Sequence, residues 1–341
     1  MWTRAPGSMS AAPASPDATF AAMPAWQPSA SLTQLRSRSA LLTQLRHFFA
    51  QREVLEVETP LLCSFGVTDP ALEPFQVHHG VSLSAGARYL QTSPEYAMKR
   101  LLALYPEPIF QIARAFRDGE AGALHNPEFS LLEWYRPGWS HHQLMEEVAE
   151  LCNFCLGDKP VRSYTYRELF LAYLDVDPFT ETDSGLRALA SEHVDIGSMA
   201  GGRDLWLDLL LSHLIEPQLR ASGLCFVYDY PASQAALARI DTSGDFEVGH
   251  RFELYVDGVE LANGYWELAD AREQLIRFEA DNARRLTMGQ AERPIDPYLM
   301  AALEAGLPDC SGVALGVDRL LMLQTGCEDI RDVLAFDWQR S

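Results

Sequence analysis

Basic residues are scarce in this chain: 27 Lys and Arg stand against 47 Asp and Glu, a formal net charge of −20 at pH 7. That balance suits an extended phosphate backbone poorly and points to a partner other than long nucleic acid, although it leaves room for a local basic patch. Long apolar runs are also missing. No stretch reaches the roughly 18 residues that a membrane span needs. Residues 1–30, rich in Ala, Pro and Ser, lack the apolar centre of a signal peptide. They read as a disordered tail, or as sequence upstream of the true start, with Met9 and Met23 as alternative initiators. Cysteine is sparse, six residues in 341, as expected of reduced thiols in a cytoplasmic protein. Cys152 and Cys155 form a C-x-x-C, but no second pair follows at zinc spacing, and both read as buried thiols near the end of a helix over 143–156. What is present is 48% hydrophobic sequence, enough to bury a substantial core.

The most informative stretch runs from Ile109 to Tyr135. Residues 108–116 and 128–136 read as two strands joined by a loop rich in turn formers: Asp118, Gly119, Gly122, Asn126 and Pro127. Period-two alternation puts Phe129, Leu131, Glu133 and Tyr135 on one face, an odd set for plain core. Arg117 ends the first strand and His125 lies in the loop. Cations and an aromatic ring of this kind can bind a nucleotide, the cations taking phosphates and the ring the base.

The rest of the chain supplies further candidates. Residues 32–52 form a helix with apolar residues at three- and four-residue spacing, running into a short strand stopped by Pro60. Ser93-Pro94-Glu95 opens a helix over 95–104, with Ser93 as N-cap and Pro94 at the first helical position, so Glu95 is free for other work. Residues 140–221 read as mainly helical, with segments 143–156, 166–174 and 205–220 and no catalytic signal. Asp257-Gly258 between two apolar runs marks a two-residue hairpin turn. Simple pairing then sets Tyr255 opposite Glu260 and Glu253 opposite Ala262, with Glu253 and Glu260 diagonal on one face. At about 7–8 Å such a pair has room for a hard cation such as Mg²⁺. Asn263 and Glu267 fall on the other face unless the strand bulges, and Gly264 is where a bulge is expected. Finally, 310–323 reads as a glycine-containing strand leading into a helix, with Gly316 near the junction and Arg319 in the first turn, able to hold a phosphate.

These stretches together resemble the class II aminoacyl-tRNA synthetases. The helix, strand and Pro60 resemble motif 1, the hairpin around Arg117 motif 2, and the 310–323 segment motif 3. His125-Asn126-Pro127-Glu128-Phe129 resembles the lysine branch, and so does the glutamate hairpin. Lysyl-tRNA synthetases carry an anticodon-binding domain of roughly a hundred residues before motif 1, where this chain has only the 1–30 segment. The resemblance is therefore greatest to the free-standing ligases that attach (R)-β-lysine to elongation factor P. Trp26-Gln27-Pro28-Ser29-Ala30, Pro231-Ala232-Ser233-Gln234 and Glu260-Leu261-Ala262-Asn263-Gly264 are similar to that family.

The resemblance implies an α+β fold over 31–341: a class II antiparallel sheet flanked by helices, with a helical insertion between motifs 2 and 3. It implies a cytoplasmic homodimer joined through motif 1, ATP and Mg²⁺ in the reaction, elongation factor P as acceptor, and no tRNA. The readings set aside are a truncated tRNA-charging enzyme and a non-catalytic paralogue. For the site it implies Arg117 and Arg319 as catalytic residues. Asp118, Gly119, Glu120, His125, Asn126, Phe129, Glu253, Leu254 and Gly316 join them around ATP, with His125 and Arg319 on the outer phosphates and Glu253 and Glu260 on Mg²⁺. Ser93, Pro94, Glu95, Tyr135, Glu260, Asn263, Glu267 and Ala314 surround the amino acid. Ala314 stands where lysyl-tRNA synthetases have Gly and is expected on the pocket floor beside Glu260 and Arg319. The acid usual two residues after the motif 2 Arg is Gly119 here, so Glu120 or the Gly119 backbone is left to read adenine.

Overall fold

The computed structural model describes residues 26–78, 87–197, 199 and 201–341. Most of the expected tail, residues 1–25, lies outside the described residues. Residues 26–30 do not belong to a tail: Ser29 and Ala30 donate backbone hydrogen bonds to Ala335 and Leu334, and Ala30 is buried. That pairing satisfies main-chain groups that a free tail would leave to water.

Twelve strands and nine α-helices are found among the described residues. The strands are β1 (Leu55–Glu56), β2 (Leu62–Cys63), β3 (Gln76–Val77), β4 (Arg88–Leu90), β5 (Ile109–Phe116), β6 (Glu128–Pro137), β7 (Val161–Thr165), β8 (Leu224–Pro231), β9 (Ile240–Asp241), β10 (Val248–Val256), β11 (Val259–Trp266) and β12 (Cys310–Gly316). The helices are α1 (Leu32–Ala50), α2 (Glu95–Leu104), α3 (His141–Leu156), α4 (Tyr166–Leu174), α5 (Asp183–His193), α6 (Arg203–Leu210), α7 (Ala271–Thr287), α8 (Pro297–Gly306) and α9 (Val317–Thr325).

The main sheet runs β1-β5-β6-β12-β11-β10-β8-β7, with β9 on β10. Its six central strands are antiparallel, as expected, while the outer pairs β1–β5 and β7–β8 are parallel. One face packs on α1, α3 and α9 through Phe49, Trp134, Leu151, Phe252, Leu254 and Leu320. Phe129, Glu133, Tyr135, Glu253 and Asn263 lie on the other face, whose flanks are closed by α2, α7 and α8 at one end and by the 166–219 helices at the other.

Several local readings need correction. The helix expected over 205–220 breaks into α6, a π-turn over Leu211–Ile215 and a 3₁₀ segment over Glu216–Ala221, because Pro217 has no N–H to continue an α-helical ladder. α5, α8 and the exposed edge strand β7 are not among the elements read from the sequence. Helix α2 spans 95–104 as expected, but Pro94 and not Ser93 occupies the cap position, and Ser93 Oγ accepts the Glu95 backbone N–H at 3.1 Å.

The largest correction lies in the β10–β11 hairpin. Asp257 and Gly258 form the turn with positive φ, and Val256 pairs Val259 and Tyr255 pairs Glu260 as expected. Then the register shifts: Leu254 pairs Ala262 and Glu253 pairs Asn263, so the bulge sits at Leu261. Leu261 and Ala262 both turn into the apolar core. Gly264 serves a different need, because a Cβ there would strike the Phe252 ring and the Gly312 carbonyl. With the bulge at Leu261, Glu253, Glu260, Asn263 and Glu267 share one face.

Candidate functional site

That face holds a cavity of about 330 Å³ lined by Glu95, Arg117, Glu133, Tyr135, Asn263, Glu267 and Ala314, among others. A smaller pocket beside it is lined by Glu120, His125, Asn126, Phe129, Gly316 and Arg319. Arg117 borders both. It is buried at the end of β5, where its Nε donates to the Thr92 carbonyl at 3.3 Å, its guanidinium lies 3.9 Å from Glu120, and it sits 5.0 Å over the Phe129 ring.

In the smaller pocket Arg319 is held by three groups: the Leu124 carbonyl at 3.1 Å, the Glu260 carbonyl at 2.6 Å and His125 Nε2 at 2.7 Å. Burial, reinforced by Arg319 and Arg117, pushes the His125 imidazolium down to about 4. His125 is therefore neutral at pH 7, its Nε2 accepting from Arg319. It orients the arginine and supplies no phosphate-binding charge of its own.

Other residues of this group also differ from expectation. Asp118 is exposed, and of the 118–120 trio only Glu120 lines the pocket. Asn126 spends its amide on the Glu128 carbonyl (2.7 Å) and the Trp338 N–H (3.0 Å), so it braces the loop. The Leu254 side chain lies in the core on the opposite face.

The larger cavity is acidic. Lys99, one turn along α2 from Glu95, is buried and bridges Glu95 at 2.6 Å and Glu267 at 2.7 Å. Burial opposes its charge, but the two carboxylates prevail and hold it protonated. Glu133 accepts the Tyr135 hydroxyl at 2.8 Å, and burial with the nearby Glu95 pushes it up to about 8. Burial raises Glu267 to about 7 against the pull of Lys99. Gly312 is required here, since a Cβ would meet both the Tyr135 ring and Glu267. Ala314 lines the cavity but pairs with Glu133 and Asn263 on the neighbouring strands, not beside Glu260 and Arg319 as expected.

The hairpin acids lie on the same face of the sheet. Glu253 is surrounded: Tyr230 (2.7 Å) and Tyr255 (2.6 Å) donate to one oxygen, Arg251 and Asn263 (3.4 Å) to the other. Burial opposes its charge, but Arg251 and the phenols keep it ionised. Glu260 is half-buried, with one buried carboxylate oxygen that lacks a hydrogen bond, and desolvation plus the Glu253 charge raises it to about 8. An orphaned carboxylate oxygen beside a second carboxylate is the donor chemistry that a hard cation takes, so the pair fits Mg²⁺, Glu260 more openly than Glu253. A third acid, Glu216, lies 3.4 Å from the Tyr255 hydroxyl, and burial together with Glu253 raises it to about 7. It arrives on the helical insertion, in which the sequence offers no catalytic signal.

The raised acids give a pH signature. Glu133, Glu260 and Glu267 keep protons in the folded chain at pH values where the unfolded chain, at 4.5, has lost them. Unfolding releases those protons, so stability falls as pH rises from about 5 to 8. The expected melting temperature is lower at pH 8.5 than at 5.5 by scanning calorimetry, with a smaller drop in Glu260→Gln. An equal drop in that variant would contradict the assignment to Glu260.

Lys99, Arg251 and Glu216 are the site groups that sequence reasoning missed, and Glu133 was noticed but given no role. Lys99 was within reach, four residues from Glu95 on one helix face. Glu133 shares the strand face noted for Phe129 and Tyr135.

Comparison with known proteins agrees with this arrangement. The family described as tRNA synthetases class II (D, K and N) matches residues 25–340. The "Elongation factor P--(R)-beta-lysine ligase" of Proteus mirabilis (strain HI4320) is 50% identical over 321 residues, 93% of this chain and 98% of that protein. The proteins of the same name from Salmonella arizonae and Salmonella typhi are 48% and 49% identical over the same shares. Half identity along nearly the whole domain means that this chain belongs to the class II tRNA synthetases (D, K and N) and, within them, to the family of the elongation factor P (R)-β-lysine ligases.

Proposed function

We propose that the chain activates (R)-β-lysine with ATP and transfers it to a lysine ε-amine of elongation factor P, in the cytoplasm and without tRNA. The observation that carries the diamino acid is a charge count. Around Lys99 stand Glu95, Glu133 and Glu267, three carboxyl groups to one ammonium; burial keeps Glu133 and Glu267 largely protonated in the empty cavity, and the two ammonium groups of a diamino acid would ionise them.

In the first step the substrate carboxylate attacks the α-phosphorus, a C–O–P linkage forms, and the bond to the β-phosphate breaks to release pyrophosphate. Arg117, bordering both pockets, is the group placed to hold the α-phosphate and the attacking carboxylate together. Arg319, aimed by His125, binds the outer phosphates, Glu120 reads the adenine edge, and Phe129 stacks the base. Positioning and charge stabilisation suffice for this step. Glu260 and Glu253 would hold Mg²⁺, which would supply neutralisation of phosphate charge. In the second step the acceptor amine attacks the acyl carbonyl, forms an amide and releases AMP. Labelled β-lysine and ATP should transfer label to elongation factor P; label on tRNA alone would overturn the proposal.

Ala314 is assigned to substrate choice. Its methyl faces the cavity between Glu133 and Asn263, where the α-amino group of ordinary lysine would sit one carbon nearer the carboxylate than the 3-amino group of β-lysine. Overpacking by one methyl costs about 1–3 kcal/mol, or about 5–150-fold. Ala314→Gly should raise kcat/KM for α-lysine relative to β-lysine. An unchanged ratio places selectivity elsewhere.

A homodimer is proposed through the segment around β1 and β2. Most apolar residues of α1 are spent on the core of their own chain, Leu41, Leu45, Phe48 and Phe49 among them. Leu55, in β1 at the edge of the main sheet, and Leu61 and Leu62, at β2, remain exposed and offer a surface for a second copy. Light scattering should give twice 38.1 kDa at micromolar concentration; a monomer excludes the interface.

A further inference from the structure

On the face of the sheet away from the cavity, His141, Asp229 and His250 converge. None of them lines either pocket. His141 is the first residue of α3, Asp229 lies in β8 and His250 in β10. The strands lose register here: Gly249 pairs Tyr230 and Phe252 pairs Tyr228, so Asp229 alone faces His250 and Arg251. Asp229 takes φ +56° at this bulge. The arrangement sends Arg251 to Glu253 on the catalytic face and His250 to His141 on the other, where the two imidazoles stack with centroids 4.6 Å apart.

We propose that these three side chains are a Zn²⁺ site. One ligand atom from each lies within 4.8 Å of the others. Asp229 Oδ1 is 3.3 Å from His250 Nδ1 and 3.6 Å from His141 Nε2. Tetrahedral ligands about 2.0–2.1 Å from zinc stand roughly 3.3–3.5 Å apart, so the two Asp229 edges already fit, and the edge between the imidazoles, within 4.8 Å, closes by a turn of the rings. The independent observation is His141 itself. It is 2% exposed, yet neither ring nitrogen makes a hydrogen bond, and 3.6 Å to Asp229 is too long for one. A buried imidazole left unsatisfied is costly unless something else accepts its lone pair. Burial also holds His141 in the neutral form that ligates metal. Asp241 stands 4.0 Å from the second nitrogen of His250, the place of a carboxylate that orients a metal-bound imidazole. Two imidazoles and one carboxylate suit zinc better than Mg²⁺, and water completes the fourth position. The site would pin the start of α3 to the two strands whose bulge sends Arg251 to Glu253.

Equilibrium dialysis of the full chain against micromolar Zn²⁺, with excess Mg²⁺ to cover the cavity acids, should give one zinc per chain. Co²⁺ in its place should show the intense visible absorption of a four-coordinate ion. His250→Ala and Asp229→Asn should weaken uptake at least about tenfold and remove the zinc-dependent rise in melting temperature. Asn tolerates positive φ, so the second variant keeps the backbone. Glu260→Gln should bind zinc as the parent does. No zinc and no cobalt spectrum in the parent, or equal uptake in the two site variants, would reduce the cluster to a structural imidazole stack and overturn the proposal.

Discussion

Arg319→Ala is expected to abolish ATP–pyrophosphate exchange while leaving the chain folded. The guanidinium is fixed by the Leu124 and Glu260 carbonyls and by His125, so its position is set before any nucleotide arrives. Removing one preorganised donor from a buried anion site costs about 10²–10³-fold in rate, and more where an arginine neutralises phosphoryl charge. Arg319→Lys keeps the charge but loses the fork that engages both carbonyls and the imidazole, and should still lose more than about tenfold. A second readout does not depend on activity. Without Arg319, His125 loses one of the influences holding it near 4, so its imidazole should titrate higher by NMR. Exchange near the parent level in folded Arg319→Ala would refute the nucleotide assignment.

Glu267→Gln should strike the amino acid and spare ATP. The substitution is close to isosteric, and Lys99 keeps Glu95 at 2.6 Å, so folding is preserved. The carboxyl groups in excess over Lys99 fall from two to one. Truncating one partner of a buried charge pair costs about 2–5 kcal/mol. The expected loss in kcat/KM for β-lysine is therefore at least about 30-fold, carried largely by KM, with KM for ATP unchanged. An unchanged KM for β-lysine would remove Glu267 from the receptor.

The middle of the sheet was legible because several of its strands carry a local signature. The Asp257-Gly258 turn, the alternation of 128–136 and the run 310–323 all lie where expected. Arg117 and Arg319 were legible for the same reason, one just past the end of a recognisable strand and the other in the first turn of a recognisable helix. What the sequence hides depends on tertiary neighbours. His125 is an ordinary histidine until burial and Arg319 strip its proton. Glu216 reaches Tyr255 only because the helix breaks at Pro217. The bulge was foreseen but misplaced by three residues, since Gly264, the natural candidate, is a glycine to make room for Phe252.

The extra residue at Leu261 makes the catalytic face a matter of parity. Downstream of it, Asn263, Tyr265 and Glu267 face the cavity only because one unpaired residue has been counted in. Losing any single residue between the turn and Asn263 would rotate all three through the sheet, drive a carboxylate into the layer occupied by Phe252 and Leu254, and turn Gly264 toward the cavity. No point substitution has that effect. The hairpin can therefore change length only in steps of two, and a substitution scan across it would miss its most severe lesion, a one-codon deletion.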